Sequence, residues 1–400
     1  MPKFADRMSV MSQSALTVRN LFNAMTDPDI ISFAGGAPAQ EALPVEAVHQ
    51  IAQEVLTLDK RGAEALQYSK PQGLLDLRQA VVEKLLAPNS ITADPKDIII
   101  VSGGLESMNL LCQVFINPGD VILVESPTFV HCVEIFEMFQ ANCVAVEMDE
   151  EGMILSDVEA KIKALHPKMI YVIPTFQNPS GKTLGEARRS ALSKLGSQYD
   201  VLILEDDPYS EMRYSGQKLR PIKAFDQTGH TVYANSFSKI FSPGARLGYI
   251  YATPAILEKL IDAKTATNSH TSAIAQVLCA EFFNQGYFDT HLANIREIHK
   301  ERRDTMIHCI DSYFPAGTKR VFPDGGLFTW VELPDNIDTT KLLPIAIQHQ
   351  VAYVAGEGFF TEGGGKGRNC MRLSFGNVPP DKIRIGIQRL GDLIAQYQRP

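Results

Sequence analysis

Short apolar runs alternate with segments of helical periodicity between about residue 95 and about residue 250. Seven of these runs are rich in β-branched residues and lie between helical segments or turns. Strands separated in this way by helices predict βαβ units and a mostly parallel sheet that is covered on both faces. The seven predicted strands lie in the runs DIIIV, DVILVE, ANCVAVEM, KMIYVIP, DVLILED, HTVYANS and RLGYIYA.

Two segments with a different pattern flank this alternating unit. Residues 1–45 are irregular and contain the turn-rich run SFAGGAPAQEALP, whereas a long helical stretch begins after about residue 285. Strands and helices follow that stretch as far as the C-terminus, which is typical of an α+β domain. We therefore predict an α/β protein with a large domain at residues 46–285. A small α+β domain at residues 286–400 would pack with the N-terminal segment, residues 1–45.

Composition and charge narrow the classes of function. The formal net charge is −8, which argues against a nucleic-acid partner. The six cysteines are scattered without a C-x-x-C pair, and the nine histidines show no ligand spacing, so we predict reduced thiols and no metal site. The N-terminus lacks the apolar core of a signal peptide, and no apolar run approaches the ~20 residues that span a bilayer. These features predict a cytoplasmic protein without a membrane segment.

Polar, glycine and aromatic residues follow the predicted strands where each strand ends. In an open α/β sheet, ligands bind beyond the carboxyl ends of the strands, so these residues predict a pocket at one edge of the sheet. The runs that follow successive strands are SGG from Ser102, SPTF from Ser126, NPSG from Asn178, DDPY from Asp206 and SFSK from Ser236.

Lys239 is the chemically most informative residue of this set. A lysine beside apolar strands has a lowered pKa, and a neutral amine can form a Schiff base with an aldehyde. Pyridoxal phosphate enzymes require such a lysine, an aspartate that keeps the pyridine nitrogen protonated, and an anchor for the phosphate. Asp206 follows a buried strand and suits the second role. Donors for a phosphate are offered by Ser236, Ser238 and Arg246 and by the backbone of Gly103 and Gly104.

Nine short motifs occur in one order along the chain: SFAGGAP, Y…GLLDLR, SGG, SPTF, NPSG, EDDPY, SFSKIFSPGARLGY, GGLF and MRLSF. In this order and spacing they resemble the class I/II aminotransferases, which are fold type I pyridoxal phosphate enzymes. The chain is most similar to the 2-aminoadipate/kynurenine aminotransferase branch and to the aminotransferase domains of MocR-type regulators. Six residues separate Lys239 from Arg246, a short spacing that favours this branch.

The resemblance implies a role for each matching residue. Lys239 would form the Schiff base with pyridoxal 5′-phosphate and move the proton between Cα and the cofactor. Asp206 would pair with the pyridinium nitrogen, Tyr209 and Asn178 would bond the 3′-oxygen, and Phe129 would stack on the ring. The phosphate would be held by Gly103, Gly104, Leu105, Ser236, Ser238 and Arg246.

The resemblance also implies the substrate and subunit contacts. Arg372 would bind the substrate α-carboxylate, with Gly36 and Asn178 nearby. Tyr68 would reach the phosphate at the neighbouring subunit's site, since the family is a homodimer with active sites at the interface. Arg19 lies where members that accept dicarboxylic substrates bind the distal carboxylate, although a solvated helical arginine is the competing interpretation. Phe129 has a competing interpretation as a core residue.

One stretch departs from the family pattern. Where the family often has Ser-Gln-Gln after the first glycine, this chain has Gly104, Leu105 and Glu106. Only backbone donors are certain there, and a glutamate near a phosphate is unfavourable unless its side chain points away.

Three functions follow from these observations. The first is an aminotransferase that moves an amino group from an aromatic, aliphatic or 2-aminoadipate-like L-amino acid to a 2-oxo acid such as 2-oxoglutarate. The second is a racemase, decarboxylase or C–S lyase on the same fold, because the cofactor stabilises a carbanion in all of these reactions. The third is a ligand-sensing domain of a MocR-type regulator.

Overall fold

A mixed sheet of eight strands forms the centre of the computed structural model, which describes residues 2–9, 27–57 and 59–397. Its strand order is β2-β9-β8-β7-β6-β3-β4-β5, and β9 runs antiparallel to both of its neighbours. The strands are β2 (Ile98–Val101), β3 (Val121–Ser126), β4 (Asn142–Asp149), β5 (Gly152–Met153), β6 (Met169–Val172), β7 (Leu202–Asp206), β8 (Thr231–Ser236) and β9 (Gly248–Tyr251).

The seven predicted strands are all present, and the eighth is the two-residue strand β5. β5 pairs antiparallel with the end of β4, so it extends the sheet by a short edge hairpin that has no apolar run of its own. The central strands β6, β7 and β8 are buried along their whole length. Their near-continuous apolar sequence follows from this burial, because both faces of the sheet are covered.

Helices cover both faces of the sheet and continue beyond it. The third helix, Leu75–Val81, is followed directly by a π-helical segment, Val82–Leu86. The helices are α1 (Val45–Val55), α2 (Lys60–Leu66), α3 (Leu75–Val81), α4 (Gly104–Phe115), α5 (Val130–Met138), α6 (Leu155–Leu165), α7 (Glu186–Tyr199), α8 (Pro254–Asn268), α9 (Ala273–Asn284), α10 (Tyr287–Tyr313), α11 (Thr339–Gln348) and α12 (Pro380–Tyr397). Short 3₁₀ segments lie at Asp6–Ser9, Gln40–Ala42, Ala87–Asn89, Pro95–Asp97, Ile222–Phe225 and Gly356–Phe359.

Two smaller sheets lie in the C-terminal part of the chain. A four-stranded antiparallel sheet has the order β10-β11-β14-β13, and a two-stranded parallel sheet joins β1 to β12. Because β1 comes from the N-terminal segment, that segment is bonded to the C-terminal part, although the bounds of the two domains stay a prediction. The strands are β1 (Ile31–Ser32), β10 (Lys319–Arg320), β11 (Phe328–Glu332), β12 (Val351–Ala352), β13 (Val354–Ala355) and β14 (Cys370–Ser374).

Helix α10 contributes to two hydrophobic cores. Its first half, with Leu292 and Ile295, packs in the core that includes β2, β8 and β9. Its second half, with Met306 and Ile310, packs in a separate core with β14, α11 and α12. The helix therefore ties the large sheet to the C-terminal layer. Among the described residues, no helix is both long enough and apolar enough to cross a membrane.

The strand register brings the predicted strand ends to one edge of the large sheet. β3, β6, β7 and β8 are parallel neighbours, so their carboxyl ends point the same way. Gly248 of β9 pairs with both Val101 at the end of β2 and Ser236 at the end of β8. The turn that follows β2 therefore lies beside the turn that contains Lys239.

Candidate active site

The Lys239 amine lies in the turn after β8 and faces the N-terminal segment. Its Nζ donates a hydrogen bond of 2.6 Å to the carbonyl oxygen of Gly36. Burial disfavours the charged ammonium, and the guanidinium groups of Arg246 and Arg372 add positive potential, so the pKa of Lys239 is lowered to about 8. A useful fraction of the amine is therefore neutral and nucleophilic near neutral pH.

Asp206 ends strand β7 and its carboxylate is buried. The hydroxyl of Tyr171, on the neighbouring strand β6, donates to Asp206 Oδ2 at 2.8 Å. The thiol of Cys132 in turn donates to the Tyr171 oxygen at 3.1 Å. Burial raises the pKa of Asp206 to about 7, the Tyr171 hydrogen bond acts against that rise, and Asp207 adds to it. A buried carboxylate of this kind requires a cationic partner to stay fully ionised.

The turn between β2 and α4 has the shape of an anion site. Gly103 has φ +90°, a backbone conformation that favours glycine, and a Cβ there would overlap the Arg246 guanidinium. The Arg246 guanidinium crosses this turn and donates to the Ser102 carbonyl at 3.4 Å. Ser236 Oγ donates to Ser238 Oγ at 2.9 Å. Hydroxyl, guanidinium and helix N-terminal donors thus converge, which is the chemistry that binds a phosphate.

Arg372 of β14 is the second cation of the site, and its side chain is buried. Its Nη1 donates to Asn178 Oδ1 at 2.8 Å, and its guanidinium lies 4.3 Å from the Phe328 ring centroid and 5.2 Å from that of Phe359. Burial lowers the pKa of Arg372 to about 10, and the nearby Tyr209 acts against that shift. Its Nε is buried without a hydrogen-bond partner among the described residues. The guanidinium therefore has donor capacity left for a planar anion such as a carboxylate.

The other predicted site residues differ in how the structure places them. Tyr209 is buried, and its hydroxyl bonds to the Asn178 side chain; burial raises the pKa of this phenol. Phe129 is half-buried at the start of α5, with its ring edge against His131. Leu105 is 38% exposed, and Tyr68 is 88% exposed with its ring edge against His270. Arg19 lies outside the described residues.

Comparison with known proteins settles the family of the chain. Residues 28–390 match the family described as "Aminotransferase class I and II". The chain belongs to this family. The similar "Aromatic-amino-acid aminotransferase 1" of Thermococcus litoralis is 41% identical, over 97% of this chain and 94% of that protein. The "2-aminoadipate transaminase" of Thermus thermophilus is 33% identical, over 94% of this chain and 93% of that protein.

A solved structure gives the same result. The kynurenine aminotransferase of Pyrococcus horikoshii superposes with a TM-score of 0.91 at 38% identity, and 99% of each chain is covered. The predicted resemblance to the kynurenine and 2-aminoadipate branch is thereby confirmed. The chain described here is therefore a transaminase of fold type I, and pyridoxal phosphate is its cofactor.

The donor set at the sheet edge fits that cofactor. An aldehyde requires an amine, a pyridine nitrogen requires a carboxylate to stay protonated, and a phosphate requires hydrogen-bond donors. Lys239 supplies a half-buried amine, and Asp206 supplies a buried carboxylate with one oxygen bonded to Tyr171. Gly103 lets the Arg246 guanidinium lie against the turn, because a Cβ at this position would overlap that guanidinium.

The sequence analysis missed the residues behind the site. Tyr171 and Cys132 support Asp206, and Lys264 pairs with Glu106 beside the anion site. Tyr171 lies in the apolar strand KMIYVIP, and this was a usable signal, because a buried phenol hydroxyl usually has a hydrogen-bond partner. Lys264 lies in an amphipathic helix, and its sequence context is that of a surface lysine.

Proposed function

We propose that this enzyme takes the amino group from an L-amino acid and passes it to a 2-oxo acid by a ping-pong mechanism, with Lys239 as the residue that binds the cofactor covalently. The observation that carries the proposal is the presence of two cations with different chemistry in one site, the half-buried Lys239 and the buried Arg372. Lys239 is a titratable amine at the sheet edge, and Arg372 is a permanently charged fork with an unpartnered Nε. The first suits the aldehyde and the second suits the substrate α-carboxylate.

Each neighbouring residue has a part in holding the cofactor. Asp206 would pair with the ring nitrogen, Tyr209 and Asn178 with the 3′-oxygen, and Phe129 with the ring face. When bound, the cofactor withdraws electrons from the substrate Cα, which makes the Cα proton acidic. The phosphate would be held by Gly103, Gly104, Leu105, Ser236, Ser238 and Arg246.

Lys239 would then act as the base that accepts the proton from the substrate Cα and holds it at Nζ. Burial and, after it, the positive charge of Arg246 and Arg372 lower the pKa of Lys239, so part of the amine is neutral, which is the state that accepts a proton. The Gly36 carbonyl accepts the hydrogen bond of the free amine, so it orients Nζ towards the N-terminal wall of the site. Gly36 would also lie close to the bound substrate.

The donor is an aromatic, aliphatic or 2-aminoadipate-like amino acid, and 2-oxoglutarate is the acceptor. The rings of Phe328 and Phe359 flank Arg372 and provide an apolar wall beside the carboxylate site. Two relatives are named for aromatic amino acids and for 2-aminoadipate, and these names support the same range of amino-acid donors. Arg19 would bind a distal carboxylate when the substrate has one.

The enzyme would work as a homodimer in the cytoplasm. Tyr68 extends into solvent from this chain, so it has a cofactor contact only if it reaches the site of a second subunit. All six cysteines are free thiols, and most are buried, which suits a reducing compartment.

A half-reaction tests the proposal. Purified holoenzyme is mixed with one amino acid at a time, without an acceptor, and both the cofactor spectrum and the 2-oxo acid are measured. We expect one equivalent of 2-oxo acid per site and conversion of the aldehyde form to the amine form. Continuous formation of 2-oxo acid without an acceptor would instead indicate a lyase, whereas formation of an amine or of the D-amino acid without 2-oxo acid would indicate a decarboxylase or a racemase. No response to any amino acid would refute the aminotransferase proposal for this site.

A further inference from the structure

A buried ion pair lies directly behind the anion-binding turn. Lys264 of α8 is completely buried, and its Nζ lies 3.0 Å from both carboxylate oxygens of Glu106. Asn268, one turn later on α8, donates to Glu106 Oε1 at 2.6 Å and accepts from Lys264 at 3.1 Å. Burial of a charged lysine is costly unless a partner offsets the loss of hydration, and Glu106 is that partner for Lys264.

The pair is bonded to the turn itself. Glu106 is the third residue of α4, and its Oε2 accepts the backbone N–H of Ser102. The carbonyl of Ser102 accepts from Arg246 at 3.4 Å. The Ser102 residue is thus held at its N–H by Glu106 and at its C=O by Arg246. The N–H groups of Gly104 and Leu105 belong to the first turn of α4, where no partner exists inside the helix.

This arrangement contains an electrostatic conflict. A carboxylate in the first turn of α4 competes with an anionic ligand for the same helix N-terminus, and like charges at close range repel. The side chain of Glu106 is directed to α8, and so it points away from the expected phosphate position. Lys264 cancels the charge of Glu106 at hydrogen-bond distance, so the turn presents its donors without a net negative charge behind them.

We infer that Glu106 and Lys264 form a charge-compensated support for the phosphate of the cofactor. Glu106 fixes the Ser102 peptide, and Lys264 removes the repulsion that Glu106 would exert on the phosphate. Both are positioning residues, since neither touches the cofactor. The inference rests on the proposed function, because it takes the phosphate to bind at residues 103–105.

Two ligands and five proteins, one of them a control, test the inference. Pyridoxal phosphate and pyridoxal, which lacks the phosphate, are titrated into the cofactor-stripped full chain, and dissociation constants are measured by absorbance. The proteins are the wild type, K264M, E106Q and the double variant E106Q/K264M. Lys259→Met is the matched control, because Lys259 lies on the exposed face of the same helix.

The inference predicts a specific pattern. K264M should bind pyridoxal phosphate about tenfold or more weakly, because Glu106 then opposes the phosphate, and should bind pyridoxal as the wild type does. E106Q keeps an oxygen acceptor for Ser102 without the charge, so its affinity for pyridoxal phosphate should equal or exceed that of the wild type. E106Q/K264M should recover most of the affinity lost in K264M, and K259M should match the wild type.

Three results would overturn the inference: unchanged affinity for pyridoxal phosphate in K264M, equal weakening for both ligands, or no recovery in the double variant. If K264M does not fold, E106Q decides alone, and an affinity for pyridoxal phosphate below that of the wild type overturns the inference. Failure of the Schiff-base role proposed for Lys239 looks different, since the wild type itself would then form no Schiff-base absorbance with either ligand.

Discussion

The hydroxyl of Tyr171 donates a hydrogen bond of 2.8 Å to the carboxylate of Asp206 across the boundary between strands β6 and β7. The Cys132 thiol donates to the same hydroxyl oxygen, so two donors in series point towards the carboxylate. All three side chains are buried. In surroundings of low polarity these two hydrogen bonds favour the ionised form of the Asp206 carboxylate and fix its orientation.

Tyr171→Phe is predicted to weaken cofactor binding. Loss of the hydroxyl raises the pKa of Asp206 further, so more of the carboxyl is protonated at neutral pH and less charge faces the ring nitrogen. A hydrogen bond to a charged group contributes about 1.5–3 kcal/mol, so the dissociation constant for pyridoxal phosphate should rise by roughly 10- to 150-fold. Cys132→Ser keeps a donor and serves as the matched control. A wild-type dissociation constant in Y171F would contradict the role of Tyr171.

Asp206→Asn is predicted to change the pH dependence of the stability of the cofactor-free enzyme. The folded pKa of Asp206, about 7, lies above its unfolded value, so the folded state binds more protons between these two values. Stability from this group is therefore lost as the pH rises through about 7. Asparagine does not titrate, so D206N should lose less free energy of unfolding between about pH 5 and about pH 8. Urea unfolding at a series of pH values measures this, and parallel curves for the two proteins would contradict it.

The rate at which the cofactor-free enzyme captures pyridoxal phosphate should depend on the protonation of Lys239. The neutral amine is the nucleophile, so the rate should rise as the pH increases through about 8 and then level off. Arg372→Met removes a positive charge from the surroundings of the amine and should move the midpoint to higher pH. Stopped-flow absorbance gives both profiles. A midpoint near 10 in the wild type, as for a solvated lysine, would contradict the environment described for Lys239.

Arg372→Lys keeps the charge but removes the planar fork that pairs with a carboxylate. The KM for the amino-acid donor should rise by about tenfold to a hundredfold, because a bidentate pair is replaced by a single-point contact. The dissociation constant for pyridoxal phosphate should stay unchanged, since Arg372 is assigned to the substrate. Arg384→Lys, at an exposed position of α12, is the matched control. Equal losses in cofactor and substrate binding would indicate that R372K disturbs the site as a whole.

The large sheet and its active edge were predictable from local patterns. Each strand is a short apolar run, and in parallel strands the residue after the run falls at the same edge, so Ser236, Asp206 and Asn178 were found together. The two-residue strand β5 was not predicted, because it has no run of its own and forms only through pairing with β4.

Pairings between distant parts of the chain could not be predicted from local patterns, and only the resemblance to the family placed Gly36 and Asn178 near Arg372. Gly36 and Lys239 are 203 positions apart, and Arg372 and Asn178 are 194 apart. Local periodicity carries no information on which of many glycines or asparagines meets a given side chain. Lys264 illustrates the limit, since a lysine in an amphipathic helix predicts solvent contact, whereas tertiary packing buries it against Glu106.

The central claim is that Lys239 binds the cofactor covalently, and borohydride reduction tests it most directly. Holoenzyme is reduced and digested, and the peptides are mapped by mass spectrometry, with Lys239→Ala as the control. The account predicts a single phosphopyridoxyl group, located on Lys239 and absent from the variant. A label on another lysine, or a reduced protein without any label, would contradict it.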